Sequence, residues 1–232
     1  MHTNDQKYDS DNPDVLAAYQ AETNGDFFQA IECYKKALAE NPNLGIVYKH
    51  AGNVFYRIGM LQEAVDHFKK ARKLLPNFST VQYDLGLAYY RQAKIKMGIE
   101  CMEEVLRLDK NFIMANYWLG VFYTQYGHMR EAKKHFRTVI KKNPDIYIAY
   151  FHLGMTNIKL GCYDEAVDNL LKVTRANPKC PASYALLGEA YMNLEDKFKA
   201  RKAFKDALKY DPDLRKAQRG INLLDDFNDV DF

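Results

Sequence analysis

The sequence lacks most of the features that announce chemistry. Its four cysteines, Cys33, Cys101, Cys162 and Cys180, are scattered with no C-x-x-C pair. That argues against a zinc cluster or a disulfide framework and leaves them as small filler residues. No apolar run reaches the roughly 18 to 20 residues that span a bilayer, and the polar start 1–14 has no signal-peptide core, so the chain reads as cytoplasmic. There is no glycine-rich phosphate loop and no G-x-S-x-G elbow, so neither an enzyme nor a cofactor is expected. His128 and His135 could share a helical face, but no third ligand is spaced to close a metal site, and structural or surface roles are expected for them. Charge of one sign is not in excess either. With 33 Lys and Arg against 30 Asp and Glu the formal charge is +3, which gives no bulk electrostatic case for nucleic acid or an acidic membrane.

What is present is a period. A composition 47% hydrophobic and 27% charged is that of a folded soluble protein. Pro42, Pro76, Lys110, Pro144, Pro178 and Pro212 recur every 34 residues. In the stretch Tyr117-Trp118-Leu119-Gly120-Val121-Phe122-Tyr123, Leu119, Gly120 and Tyr123 share one helical face. Gly127 is placed to end that helix in the left-handed conformation. A second helix follows, with Ala132, Phe136 and Val139 on its inner face, and Pro144 stands after it. The unit is a helical hairpin. Its small residue recurs as Ala18, Gly52, Gly86, Gly120, Gly154 and Gly188, and the bulky residue of the second helix as Tyr34, Phe68, Met102, Phe136, Leu170 and Phe204. Antiparallel helices approach to about 8 to 10 Å only where a small side chain admits a large one. The many Tyr and Phe residues therefore sit where packing needs bulk, rather than on a stacking platform for nucleic acid.

This pattern resembles the tetratricopeptide repeat, whose period is the same. The signature reads Tyr48, Ala51, Gly52, Phe55, Ala64, Phe68, Ala71, Pro76 in the second unit and Tyr184, Leu187, Gly188, Tyr191, Ala200, Phe204, Ala207, Pro212 in the sixth. The third unit departs from it with Ala93, Gly98, Met102 and Lys110, which predicts a looser second helix. The first has Ala17-Ala18 for Leu-Gly but starts on Asn12-Pro13, a cap before a first-turn proline. The resemblance implies an all-α, right-handed α-solenoid of six repeats, at 11–44, 45–78, 79–112, 113–146, 147–180 and 181–214. A capping helix at 215–224 is expected to cover the last apolar face with Ala217, Ile221 and Leu224, backed by Lys216 and Arg219. Residues 1–10 read as a flexible start and 225–232 as an acidic tail with interspersed apolar residues.

The same resemblance implies that first helices line a concave peptide-binding groove. Carried over by position, that groove holds Lys49, Asn53, Tyr56 and Arg57 in the second unit, and Tyr83, Leu87, Tyr90 and Arg91 in the third. The fourth unit gives Met114, Tyr117 and Val121, and the fifth Phe151, Met155, Ile158 and Lys159. Met, aromatic and branched residues at such positions point to an apolar or amphipathic peptide. Lys49 and Asn53 match the start of the family's two-carboxylate clamp, but Asp84, Met114 and Trp118 stand where its other members belong, which disfavours a chaperone tail. The expected function is a non-catalytic protein scaffold or adaptor. The alternative is a regulatory or targeting subunit of an enzyme, secretion, pilus or bacterial organelle assembly such as the magnetosome, and a minor one is helical-repeat RNA binding. The tail could itself be a ligand for Lys49, Arg57 and Arg91, within one chain or between copies in a homo-oligomer; the plainer reading is a solubilising end.

Overall fold

A computed structural model describes residues 12–226, and the start 1–11 and the tail 227–232 lie outside the described residues. Among these the fold is all-α, with thirteen helices and no strand. They are α1 Pro13–Asn24, α2 Phe27–Glu40, α3 Gly45–Arg57, α4 Leu61–Leu74, α5 Ser79–Arg91 and α6 Ile95–Leu108, then α7 Ile113–Gln125, α8 Met129–Lys142, α9 Tyr147–Lys159, α10 Tyr163–Ala176, α11 Pro181–Asn193, α12 Lys197–Tyr210 and α13 Arg215–Asp226. Two compact units divide the chain, one through Ala115 and one from Asn116. Each is a run of α-solenoid in which consecutive helices pair as hairpins. No helix among the described residues is long and apolar enough to cross a membrane.

The hairpins follow from local chemistry. The side chain of Asn12 accepts from the backbone N–H groups of Asp14 and Val15 at 2.9 and 3.1 Å, so two of the orphan donors of α1 are met before Pro13 fixes its first turn. Asp26 and Asp196 cap α2 and α12 in the same way, through Gln29 and Lys199. The turn inside each hairpin needs one left-handed residue. Gly25, Gly59, Gly127 and Gly161 supply it at φ of +80°, +86°, +86° and +73°, while Ala93 and Glu195 adopt +57° and +61° at the equivalent places. The phase of the repeat imposes that backbone on two residues that intrinsically avoid it, at about 1 to 2 kcal/mol each.

Packing within each unit rests on the small–large pair. A Cβ added to Gly52 would lie 2.6 Å from the ring of Phe68, and one on Gly86 would lie 2.7 Å from the Met102 methyl. In the second unit the same construction puts Gly120 2.5 Å from Phe136, Gly154 2.7 Å from Leu170 and Gly188 2.5 Å from Phe204. The large partners are closed off from solvent, with Phe136, Met102 and Leu170 at 0% exposure and Phe204 at 2%. Met102 thus fills its place fully, although an open cleft of about 460 Å³ lies beside α6, among them Met97, Cys101, Gln82 and Tyr89. At the end of the second unit α13 buries Ala217 and Leu224 against Phe204 and leaves Lys216 and Arg219 outside.

Replacing Phe136 by Ala is expected to cost about 3 to 5 kcal/mol in urea unfolding, because it leaves a ring-sized void. Gly120→Leu is expected to be as damaging, since no rotamer avoids the Phe136 ring. Ala93→Gly and Glu195→Gly are expected to gain roughly 1 kcal/mol each by relieving the left-handed strain. Unchanged midpoints for the first pair would show that the hairpin contact is not what holds the helices.

Candidate interaction face

The fifteen candidate residues fall on first helices, and each unit is described by itself. In the first unit they lie on α3, α5 and the start of α7. Lys49, Asn53, Tyr56, Tyr83, Leu87, Tyr90 and Met114 are partly buried, whereas Arg57 and Arg91 are exposed. The basic residues are engaged by their own fold. Lys49 Nζ lies 3.1 Å from Asp84 Oδ2, with both side chains about four-fifths buried at 18% and 19% exposure, and Asn53 hydrogen-bonds the same carboxylate. Arg57 sits 4.4 Å over the Phe27 ring and 4.0 Å from Glu22. Arg91 lies 4.7 Å over the Tyr56 ring and donates to the Tyr56 carbonyl at 2.6 Å. Tyr83 packs on Phe112 with centroids 5.0 Å apart. The face is therefore aromatic, with its cations engaged by groups of the fold itself.

Burial governs its titrating groups. The Asp84 carboxyl is pushed above its ordinary range by desolvation, which Lys49 and Asn53 only partly offset. His50 stands between Tyr19 and Tyr34, with centroids at 5.0 and 6.5 Å. Its burial, with Lys49 next to it, lowers its pKa to about 4.

The second unit carries Tyr117, Val121, Phe151, Met155, Ile158 and Lys159 on α7 and α9. Val121 and Ile158 are buried, at 8% and 9% exposure, and work in the core. Tyr117, Phe151 and Met155 stay partly exposed, and Lys159 is exposed. Tyr117 is held edge-on by Phe136 at 6.1 Å and by His152 at 5.6 Å, while Phe151 and Met155 rest on a cluster with Ile158, Leu186 and Leu187. The histidines singled out in sequence serve the scaffold. His135 stacks on Tyr123 at 5.5 Å and shares a hydrogen bond with Asn116 at 3.1 Å. His128 also stacks on Tyr123, at 6.1 Å. Among the described residues no three His, Cys, Asp or Glu side chains gather as a metal site.

Two features escaped sequence reasoning. Glu22 and Asp84, which partner the basic residues, lie far from them in sequence. Asn157, fully buried where other repeats have Phe55, Tyr89, Tyr123 and Tyr191, leaves both amide atoms without a protein partner. The second was visible as a break in the aromatic series at that repeat position.

Comparison with known proteins agrees with this architecture. Residues 52–92 match a family model described as TPR repeat, and residues 79–112, 125–179 and 181–214 match models described as Tetratricopeptide repeat. No curated protein matches the sequence. Among solved structures the chain is similar to YrrB, a TPR protein with an unusual peptide-binding site, at 24% identity over 83% of this chain and 100% of that one, with a TM-score of 0.74. It is also similar to MamA, at 25% identity over 78% of this chain and 96% of that one, with a TM-score of 0.64. A fragment of MamA from Desulfovibrio magneticus RS-1 shares 19% identity over 74% of this chain and 97% of its own, with a TM-score of 0.70.

The lowered pKa of His50 has a definite sign in stability. Between about pH 6.5 and pH 4 the unfolded chain binds the proton that the folded one refuses, so stability rises with pH in that window and is lost on acidification. Burial lowers the pKa of His67, His135 and His152 as well, which adds to the same limb; the raised Asp84 carboxyl acts in the opposite sense. Thermal midpoints measured from about pH 7 down to pH 4.5 are expected to fall, and to fall less steeply in His50→Phe. Parallel curves for the two proteins would remove His50 as a source of the acid limb.

Proposed function

The chain belongs to the tetratricopeptide repeat family, and on that premise we propose that it is a non-catalytic interaction scaffold that binds an apolar or amphipathic peptide segment against its first-helix face. One observation carries the reading. On α7 and α9, Tyr117, Phe151 and Met155 remain partly exposed although the core beneath them is closed. Their inner edges pack on that core, and water does not favour the apolar surface left open, whereas the apolar side chains of a bound segment would. In the first unit Tyr56, Tyr83 and Tyr90 keep part of their surface open on the same face, each with an apolar ring and a polar tip. That suits an amphipathic segment better than a strongly acidic one. YrrB, with the same fold and a peptide-binding site, supports the reading at the level of fold. The tail, from its own chain or a second copy, is a candidate segment of this kind through its apolar residues, and the proposed location is cytoplasmic.

Peptides selected from a random library against the intact chain supply a ligand for the test. Tyr117→Ala and Phe151→Ala are each expected to weaken binding by at least about 1 to 2 kcal/mol in calorimetry, with helicity unchanged. Undiminished affinity in both variants would take the first-helix face out of consideration.

A further inference from the structure

The outward face of α8 carries more charge than its packing requires. In its 14 residues the helix holds Arg130, Lys133, Lys134, Arg137, Lys141 and Lys142 against the single carboxylate of Glu131. That surplus exceeds the +3 of the whole chain. Arg130, Lys134, Arg137 and Lys141 follow at steps of four, three and four, so they share one face, while Ala132, Phe136 and Val139 on the other enter the core. Like charges at these spacings destabilise a helix, and the macrodipole, which favours Lys141 in the last turn, disfavours Arg130 in the first. Local stability therefore does not explain the stripe.

The side chains enclose a shallow cleft of about 390 Å³ lined by Arg130, Lys133, Lys134, Arg137, Thr138 and Lys141. Its neutralisation is one-sided. Glu165 on α10 pairs with Lys133 and with Arg137, each at 2.9 Å, and these partners, Lys133 foremost, hold its carboxyl below the usual range. Among the described residues no carboxylate pairs with Arg130, Lys134 or Lys141. In the equally basic α12 two carboxylates, Asp196 and Asp225, pair with Lys199 and Arg201, whereas in α8 the one carboxylate of Glu165 serves both paired cations.

We propose that this cleft is a second binding surface, on the second-helix side of the fourth repeat, for an extended acidic peptide segment. Its carboxylates are taken by Arg130, Lys134 and Lys141. From Arg130 to Lys141 the stripe runs about 16 Å along the helix, the reach of about five residues of extended chain. Two wider anions fit less well. The next second helix, α10, has exposed Asp164 and Asp168 at the repeat positions that Arg130 and Lys134 hold in α8, and these acids oppose a planar anionic membrane. None of the residues lining the cleft is aromatic, so it offers no ring platform of the kind on which successive nucleic-acid bases stack.

The test uses the intact chain and a fluorescent peptide of alternating Glu and Ser, with the Gln-for-Glu peptide as its neutral match. Binding of the acidic peptide is expected at about 50 mM salt and to weaken as salt screens it. Lys134→Glu combined with Lys141→Glu is expected to lower affinity at least roughly tenfold, and Lys202→Glu combined with Lys205→Glu on α12, which changes the net charge equally, less than about twofold. Lys134→Gln with Lys141→Gln guards against a folding effect and is expected to show the same ordering. Equal loss in the α8 and α12 variants would reduce the effect to bulk charge and overturn the proposal. It would also be overturned by no binding of the acidic peptide, by equal binding of the neutral one, or by tighter binding of anionic vesicles or oligouridylate.

Discussion

The distance at which two helices of one hairpin can pass is the constraint on which the rest of this structure depends. Phe136 has room for its ring only because Gly120 has no Cβ, and the same exchange recurs at Gly52 with Phe68 and Gly188 with Phe204. Where the large partner is not aromatic, a branched or flexible chain takes the space, as Leu170 does over Gly154 and Met102 under Gly86. Interiors at crystal-like density admit few other solutions, so the pair fixes both the separation and the axial register of the helices. Phe204 extends the principle to the end of the second unit, since its ring also lies against Gly220 of α13. A helix without a hairpin partner can dock there because it too offers a residue with no side chain.

This dependence explains what was legible in the sequence. The small–large pair and the left-handed turn position recur once per hairpin, and a proline follows five of the six hairpins, so their spacing declared the all-α repeat fold. Phase was more informative than identity. Ala93 and Glu195 look unlike turn residues, yet the repeat holds them at positive φ. The first-helix face was legible as positions but not as chemistry. Nothing periodic announces that Lys49 meets Asp84, that Arg57 meets Glu22 and Phe27, or that Arg91 reaches back to Tyr56. These side-chain choices are made across repeats and differ in each one. The face is also narrower than the position rule implies, since Val121 and Ile158 are drawn into the core.

The pairings change the electrostatic character of the first unit. A cation already matched by a nearly buried carboxylate attracts a ligand's acid weakly, because the newcomer must displace a partner held in place and remain desolvated itself. The raised Asp84 carboxyl records how costly charge is in that position. Asn157 makes the related point for neutral groups. An amide buried without a protein partner costs about 1 to 3 kcal/mol relative to one that is satisfied, and it stands where other repeats place an aromatic ring. At this position the fifth repeat therefore forgoes the ring packing of its neighbours, a tolerable loss where each hairpin is buttressed on both sides.

Within the second unit these principles separate two surfaces. A second helix presents one face to its hairpin partner and to the next hairpin, and leaves the other to solvent. That outer face is free of the small–large rule, so its composition can drift without disturbing register. α8 and α10 show the freedom, since the same repeat positions hold Arg130 and Lys134 in one and Asp164 and Asp168 in the other. The first-helix face is less free, because residues such as Tyr117 and Phe151 touch the core through Phe136 and Ile158 while their outer edges remain open. The proposed apolar recognition would use side chains of the first helices that are already held from beneath, at little entropic cost. The proposed charge recognition would use a second helix, where a largely unneutralised stripe can be installed on a rigid rod at the modest cost of repulsion within a single helix.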